Sequence, residues 1–561
     1  MKNYKKVYAA FILAGGLILH GCNGIFDDLS INPNQPSMGA YFTSPSAVND
    51  AVMTMYGYMS TQRCLGASGS KTTIIRSDEA SSNSDYGKPG MFGADLNASY
   101  YTIEQPYTLM YTTASQASYI IETAPSVDFS GNEELRNAYM GEAYFWRAFA
   151  HYYLLINFRN ISPIRQMPRN GDDYVRPLEK PAAVWDFIQE DLAHAKELLP
   201  VKGYWDSKNA GRVTKASAAA LLGKAYLYRS GIEQYYGEDK TTFYSEAAKE
   251  FGDVIDGKYG TYDLTKNYAD NFDVAHENNE ESILEFQFLG DVDNAGFNPG
   301  LATSGLAFDS RGLMLPGAGV GYEGVVHNWL YNAFVNSIDK DGYTDIRMFS
   351  TMIFNDLDAS IHLRNDAGGN PVRLEGPGGY KWEELYPAKN GKEGFATVSN
   401  PLAHSFKAGI RKGIDCSMPT QTEADGTPKL VGVGAGVKEY VYNQPRAHGV
   451  NWRYIRYADV LMMYAEAVVS GGTQASNMTP LQAVNKVRGR ANMSELPSVT
   501  MADIQNERIL EFALEGHRFY DLLRWGKLAS RFTELQESDP NFKKFISADD
   551  FKGFVTNKHE W

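Results

Sequence analysis

Cysteine is scarce in this sequence, with three residues among 561. Cys22 lies at the end of an N-terminal export signal, so Cys64 and Cys416 remain to pair, and the sequence does not show whether they lie close enough for a disulfide. Neither a CxxC pair nor an HExxH motif occurs, so the usual zinc signatures are absent. The sequence therefore allows one intramolecular disulfide and carries no recognisable zinc motif.

Long apolar runs and clustered basic residues are also missing. After residue 22 no segment approaches the ~18 consecutive apolar residues that indicate a membrane-spanning helix, so we expect a soluble body. The net charge is −14 and the 53 basic residues form no stripe, which argues against nucleic acid as a partner. Aromatic residues reach 13%, with 36 Tyr and 8 Trp. Such enrichment suits helix packing or a surface that stacks on flat apolar ligand faces.

The first 22 residues are typical of a bacterial export signal. A basic stretch precedes an apolar run from residue 7 to residue 19, which is too short to span a membrane. The sequence Leu19-His20-Gly21-Cys22 resembles a lipobox, which implies cleavage before Cys22 and its lipidation. The alternative is an ordinary signal with a chance cysteine. We expect a signal peptide over 1–21 and a lipid-anchored spacer over 22–45.

Helical spacing of apolar residues recurs in two separate parts of the chain. The predicted helices cover 46–62, 106–124, 132–160, 182–199, 214–231, 241–256, 452–469 and 479–491. Small and large residues alternate in 219–226 and 461–467 as in tetratricopeptide-like repeats, although a regular 34-residue period is not visible. The expected fold is mainly α, with interrupted tetratricopeptide-like helix pairs.

Two long segments are rich in Gly, Asn, Asp and Ser and have little regular pattern. The first is a loop over about 65–100, and the second is an excursion over 258–450 with a probable strand at 282–290 and few others. Irregular segments of this length usually carry the functional site. We therefore divide the mature body into a helical region over 46–257, a loop-rich excursion over 258–450, and a C-terminal helical region over 451–561.

The segment 505–527, QNERILEFALEGHRFYDLLRWGK, combines an apolar helix face with dense mixed charge. Gly516 interrupts the pattern and predicts a bend or a close helix contact. Two pairs of opposite charge fall at i,i+3, where they can meet on neighbouring turns: Glu515 with Arg518, and Asp521 with Arg524.

Two interpretations of these charges stay open. Glu511, Glu515 and His517 form an acid/base cluster in the first, because histidine titrates near neutrality and neighbours tune carboxylates. In the second they form a structural ion network that holds the segment onto earlier helices. No second catalytic signature accompanies them, which favours the ion network.

Several separated motifs resemble the SusD/RagB family of outer-membrane nutrient-binding lipoproteins of Bacteroidetes. The resemblance extends over nearly the whole mature chain, and its strongest element is the segment 505–527. Further matching motifs are Arg453-Tyr454 through Ala465-Glu466-Ala467, Val487-Arg488 with Arg490-Ala491, Gly141-Glu142-Ala143 with Arg147-Ala148, and 280–288. The chain departs from the family where Ser118 replaces a common Asn, and the loop at 65–100 has no Trp, which some glycan-binding members use there.

The resemblance implies a non-catalytic binder, lipid-anchored in the outer membrane and exposed at the cell surface. Such a protein covers a SusC-type TonB-dependent transporter, which its helical face meets, and hands it an oligosaccharide held by loops elsewhere. Two alternatives stay open: the same architecture binding peptides, and a surface glycoside hydrolase, which needs paired carboxylates about 5–9.5 Å apart. No cofactor is expected; some relatives hold a structural calcium ion, which the sequence does not locate.

Sugar rings stack their C–H faces on aromatic rings, while their hydroxyls bind polar side chains. On that logic the candidate ligand-binding residues are Asp78, Asp85, Tyr86, Phe92, Trp329, Tyr343, Tyr380 and Trp382. Packing is the stronger interpretation for Trp329, whose surroundings are helical, whereas Tyr86 and Trp382 stand in Gly/Pro-flanked loops where exposure is expected.

Other notable side chains have structural interpretations. Trp146, Trp185 and Trp452 lie on apolar helix faces and are expected in the core. The DKDGYTD sequence at 339–345 looks superficially like a calcium loop but lacks the EF-hand spacing and its terminal Glu.

Overall fold

The computed structural model describes residues 42–61, 64–66, 73–82, 101–167, 175–288, 324–376, 379–397, 403–412, 430–432, 438–440, 450–540 and 542. Within them the chain is mainly helical, as predicted. The helices are α1 (Pro45–Ser60), α2 (Tyr101–Thr123), α3 (Glu133–Phe158), α4 (Pro181–Leu198), α5 (Lys215–Tyr236), α6 (Tyr244–Ile255), α7 (Asn328–Val335), α8 (Met348–Thr351), α9 (Trp382–Leu385), α10 (Tyr457–Val469), α11 (Pro480–Arg490), α12 (Met501–Phe512), α13 (Arg518–Arg524) and α14 (Leu528–Ser538). The strands are β1 (Ala80–Ser82), β2 (Ser282–Phe286), β3 (Gly324–Val326), β4 (Met352–Phe354), β5 (Ala408–Ile410), β6 (Leu430–Gly432), β7 (Lys438–Tyr440) and β8 (Trp452–Arg456).

Helix starts follow N-cap chemistry. Thr214, Thr479 and Thr500 each begin a helix with a capping box, in which the cap hydroxyl and the side chain three residues on satisfy each other's backbone amides. Proline occupies the first position of α1, α4 and α11, where its missing N–H is not needed. The predicted helix starts at Thr214 and Thr479 are therefore confirmed.

Successive long helices pack on one another: α2 on α3, α3 on α4, α4 on α5, α5 on α6, then α6 on α10 and α10 on α11. Small residues allow this closeness. A Cβ at Gly223 would lie 2.7 Å from Cε1 of Phe251, and one at Gly252 would lie 2.7 Å from the carbonyl oxygen of Ala475. The helix pairs are interrupted between α6 and α10, as predicted.

Short strands from this interruption, together with β1 from before α2, form sheets. Strands β1, β3, β5 and β4 make an antiparallel sheet in that order, and β2 pairs antiparallel with β8. The helix predicted over 452–469 is wrong in its first five residues, which form β8, with Ile455 opposite Leu284. The reason is tertiary: the backbone groups of buried β2 need a partner, and residues 452–456 supply it.

The tryptophans expected in the core differ in depth. Trp146 and Trp185 are each 1% exposed, whereas Trp452 is half-buried on β8 against Phe286 and Tyr454. None of the helices within the described ranges is long and apolar enough to cross a membrane.

The chain reverses between α12 and α13. Leu514 has φ +62° and Gly516 has φ +85°, both in the left-handed region. A Cβ on Gly516 would lie 2.7 Å from Oγ1 of Thr73, so a glycine is required both by the backbone and by the close neighbour. The bend predicted at Gly516 is confirmed, and it splits the segment 505–527 into two helices.

Candidate functional site

Arg456 lies at the centre of a closed cluster of charges. Its guanidinium, fully buried, binds three carboxylates, with N–O distances of 2.7 Å to Glu281, 2.6 Å to Glu511 and 2.9 Å to Glu515. Strand β8 places Arg456 beside the start of β2, and the end of α12 with the following turn brings the other two carboxylates to it. Three distant parts of the chain therefore meet on one side chain.

Further charges extend the cluster. The side chains that we call the Arg456 network are Arg347, Lys412, Arg456, Arg490, Glu281, Asp345, Glu507, Glu511 and Glu515. Arg347 binds Asp345 at 2.7 Å, Glu507 at 2.5 Å and Glu511 at 3.1 Å. Arg490 binds Glu281 at 2.7 Å and also contacts Glu511. With five anions against four cations almost fully buried, each charge depends on its partners for solvation.

The ion pairs within the network determine the pKa values of its members. Burial alone would raise the pKa of Glu511, but Arg490, Arg456 and Arg347 more than offset it, and the pKa falls well below its ordinary value. Burial lowers the pKa of Lys412 to about 8, although Glu515 lies 2.8 Å from its ammonium and opposes the shift. Glu281, Glu511 and Glu515, whose pKa values all lie below their ordinary values, are therefore held as anions in ion pairs.

His517 is equally constrained. Burial lowers its pKa to about 3, and Lys224, whose Nζ lies 3.5 Å from Nδ1, adds to the effect, while Asp459 partly opposes it. The imidazole is thus neutral at pH 7 and lies against the ring of Phe512. This geometry favours the ion-network interpretation over an acid/base cluster.

Of the two ion pairs predicted at i,i+3 spacing, one forms and the other does not. Asp521 and Arg524 meet at 2.8 Å within α13, as predicted. The predicted pair Glu515–Arg518 is wrong, because the turn before α13 points Glu515 into the Arg456 network and leaves Arg518 to bind Asp78 at 2.9 Å.

Asp78 connects the C-terminal helices with the loop-bearing part of the fold. Its fully buried carboxylate accepts hydrogen bonds from Arg518 at 2.9 Å and Arg531 at 2.8 Å, and its carbonyl accepts one from the indole N–H of Trp329. Burial raises the pKa of Asp78, but the two arginines more than offset this and hold it below its usual value. The expectation that Asp78 faces a ligand is therefore corrected, since its oxygens are used inside the protein.

Trp329 is half-buried on α7, so the helical packing expected of it is present. Its ring centroid lies 4.3 Å from Cζ of Arg531 and 5.5 Å from Cζ of Arg518.

Trp382 also differs from expectation. It is 8% exposed and packs on Tyr386 and Phe395, with ring centroids 4.6 and 5.0 Å away. A Cβ on Gly394 would lie 2.9 Å from Cζ2 of its indole. The exposure predicted from the flanking glycines and proline is wrong, because these residues let the chain fold around the indole and build a small aromatic core.

Two further candidates are, like Trp329, partly accessible. Tyr343 and Tyr380 are half-buried, and the guanidinium of Arg364 lies 5.4 Å above the ring of Tyr343. Asp85, Tyr86, Phe92, the lipidation residue Cys22 and Cys416 lie outside the described residues. Cys64 is buried, and its pairing stays untested.

The loop at 339–345 satisfies its carboxylates with protein donors. Asp339 accepts the amides of Asp341 and Tyr343, each at 2.9 Å, and contacts Arg364, while Asp345 belongs to the Arg456 network. Within the described ranges no group of three or more His, Cys, Asp or Glu side chains is arranged to hold a metal ion.

Solved structures share the overall fold of this chain. A SusD superfamily protein from Bacteroides vulgatus is 22% identical with a TM-score of 0.64, covering 90% of this chain and 93% of that one. A laminarin binding SusD-like protein is 21% identical with a TM-score of 0.60, covering 89% and 96%. The fold is that of the SusD superfamily.

Sequence comparison gives the same assignment for both ends of the chain. A family model described as starch-binding associating with outer membrane matches residues 28–227, and the SusD family model matches residues 421–559. A SusD-like protein from Bacteroides ovatus is 25% identical over 533 residues, covering 94% of this chain and 83% of its own length. The chain belongs to the SusD/RagB family.

Proposed function

We propose that this protein is a non-catalytic, cell-surface glycan-binding lipoprotein that delivers its ligand to a SusC-type TonB-dependent transporter. The likeness to a laminarin binding SusD-like protein carries the proposal, since it extends over 89% of this chain. The family model described as starch-binding associating with outer membrane supports both the ligand class and the location.

The glycan site belongs, in this proposal, to the loops around Tyr86, Tyr343 and Tyr380. Tyrosine offers both a ring face for sugar C–H groups and a hydroxyl for hydrogen bonding. Trp329 and Asp78 tie α7 and the residues before β1 to the C-terminal helices.

The charges of the Arg456 network support a binder over a hydrolase. A glycosidase needs two carboxyl groups about 5–9.5 Å apart that both reach the substrate. The carboxylates of the Arg456 network are instead buried and neutralised by arginine and lysine. They stabilise the fold and offer no proton to a ligand.

Calorimetry against a panel of oligosaccharides, including laminarin fragments, tests the ligand class. We expect binding by the full protein and a loss of about fivefold, roughly 1 kcal/mol of ring stacking, in Tyr86→Ala and Tyr380→Ala. Tyr107→Ala is the matched control, since Tyr107 is 39% exposed on α2, outside the proposed loops. Binding of peptides with no binding of glycans would replace this proposal with the peptide-binding alternative.

Three further measurements separate the remaining parts of the proposal. Incubation with the same glycans should release no product, and any release would overturn the non-catalytic assignment. Cys22→Ala should move the protein out of the membrane fraction, and unchanged fractionation would contradict lipid anchoring. Mild detergent extraction should co-purify a TonB-dependent transporter with the native protein, and its absence would contradict the partnership.

A further inference from the structure

A cleft of about 890 Å³ opens between the helix pairs. Its walls come from α5, α6, the end of α10, the start of α12 and the residues just after α13. This volume lies within the range of about 300–1,000 Å³ that is typical of small-molecule sites. None of the loop residues proposed above lines it.

Tyr235 supplies an exposed aromatic ring in this cleft. The residue is 51% exposed, and Gly526 lies directly against the ring. A Cβ on Gly526, at φ +64°, would lie 2.5 Å from Cδ1 of Tyr235, so the glycine backbone supports the ring at a distance that a larger residue would prevent. A ring held in this way is ordered before a ligand arrives, which lowers the entropic cost of stacking.

Neutral hydrogen-bonding groups surround this ring. Gln234 and Ser245 are exposed; the carbonyl oxygen of Gln234 accepts from the hydroxyl of Tyr244 at 3.5 Å, and the hydroxyl of Ser245 accepts the amide of Thr473 at 3.0 Å. Gln505 accepts a hydrogen bond from Lys527 at 2.6 Å through its carbonyl oxygen, which leaves its amide NH2 available as a donor. Hydroxyl and amide groups of this kind both donate and accept, as sugar hydroxyls require.

The charges of the cleft are balanced. Glu466 at its floor is buried, contacts Arg524, and accepts the indole N–H of Trp525 at 2.9 Å. At the rim, Glu246 and Lys527 carry opposite charges. The lining therefore has no surplus charge for a phosphate and offers a ring among polar groups instead of a continuous apolar patch for a lipid.

We propose that this cleft is a second carbohydrate site, which binds an uncharged oligosaccharide. One sugar ring stacks on Tyr235, and its hydroxyls bind Gln234, Ser245 and Gln505. The inference rests on the proposed function for the class of ligand, but it uses none of the loop residues assigned there.

Calorimetric titration with laminarin fragments and the other oligosaccharides of the panel tests the site in the full protein. We expect two sites per chain, with one weakened about fivefold or more in Tyr235→Ala and in Gln234→Ala. Tyr107→Ala should bind as the native protein does. Thermal unfolding of each variant checks that an exposed residue was changed without loss of the fold.

The outcomes separate the two sites. If Tyr235→Ala and Gln234→Ala bind with native affinity and stoichiometry while Tyr380→Ala does not, the proposal of a carbohydrate site in the cleft is refuted and the loop site is supported. If Tyr235→Ala alone abolishes binding while Tyr86→Ala and Tyr380→Ala bind normally, the cleft is supported and the loop placement is wrong. If the native protein binds no oligosaccharide, both proposals are overturned.

Discussion

Arg456→Gln is expected to destabilise the protein more than any surface charge substitution. The change removes a buried cation shared by Glu281, Glu511 and Glu515 and leaves an amide that cannot neutralise them. Arg490, Arg347 and Lys412 remain, so the network is weakened but keeps other cations.

The size of the expected destabilisation follows from the cost of an uncompensated buried charge. Removing one partner of a buried ion pair costs about 3–5 kcal/mol, and the three carboxylates bound by Arg456 argue for the upper end. At roughly 1 °C per kcal/mol for a folding unit of more than 500 residues, the unfolding midpoint should fall by about 5 °C. The matched control is Arg136→Gln, because Arg136 is 30% exposed and pairs with exposed Glu133; it should cost less than about 0.5 kcal/mol.

The pH dependence of this difference is a second test. The folded pKa of Glu511 lies below its ordinary value of about 4.3, so its ion pairs contribute stability that is fully present above that value and is lost as the pH falls through the folded pKa. The difference in unfolding midpoint between the native protein and Arg456→Gln should therefore be largest near pH 7 and become smaller in acid.

Thermal unfolding followed by circular dichroism, at pH 7 and at stepwise lower pH, measures both effects. A midpoint for Arg456→Gln close to that of Arg136→Gln would refute the assignment of the network as a structural clamp. A gap that widens in acid would refute the electrostatic reasoning.

Three other features of the fold are each tested by a substitution, two of them with a matched control. Trp382→Ala should cost about 3 kcal/mol in thermal unfolding, because it removes the centre of an aromatic cluster, whereas Tyr380→Ala beside it should cost clearly less; equal costs would contradict the buried placement. Gly516→Ala should destabilise the protein by about 1–2 kcal/mol or more, because Gly516 has a positive φ and its added Cβ would lie 2.7 Å from the hydroxyl of Thr73. Gly57→Ala on α1, where an added Cβ would have no atom within 4 Å, should instead stabilise the protein by about 0.5–1 kcal/mol. A change of the same sign in both variants would contradict this explanation. Burial raises the pKa of Glu79 to about 8, so between about pH 4.3 and 8 the folded state keeps a proton that the unfolded state releases. The free energy of unfolding therefore falls as the pH rises through this range. Glu79→Gln should flatten this pH dependence in denaturant titrations, and an unchanged dependence would refute the raised pKa.

Local features of the fold were predictable from the sequence. Helices with strong 3.6-residue patterns and capping residues begin where Thr214 and Thr479 predict, and the i,i+3 pair of Asp521 with Arg524 forms as expected. These features depend on residues a few positions apart, and the sequence shows such neighbours directly.

Long-range pairing was not predictable. Glu515 pairs with Arg456, 59 positions away, and not with Arg518, because the left-handed turn at Gly516 changes the direction of the chain between Glu515 and Arg518. Residues 452–456 become a strand because β2 needs a partner for its backbone, which no local pattern indicates. The clustering of arginines with glutamates at separate family motifs was the signal that could have shown them to be partners.

The candidate site was predictable in kind more than in detail. Composition pointed to aromatic and polar residues in loops, but Trp382 shows that a glycine-rich surrounding also suits a buried ring. Tyr235 was overlooked because it lies on a long helix, and its accessibility depends on Gly526, 291 positions later, lying against it.

The Arg456 network has a consequence for the order in which the protein is assembled. Its members come from before β2, from around α8 and β5, from β8 and α11, and from α12 and the turn after it, so it can close only after the chain has been synthesised past Glu515. The helices α2 to α6 contact their sequence neighbours and can form earlier. A chain interrupted before α12 would hold Arg456 and Arg490 without two of their carboxylates. We expect such a product, with cations that lack their partners, to stay partly unfolded and therefore open to proteolysis.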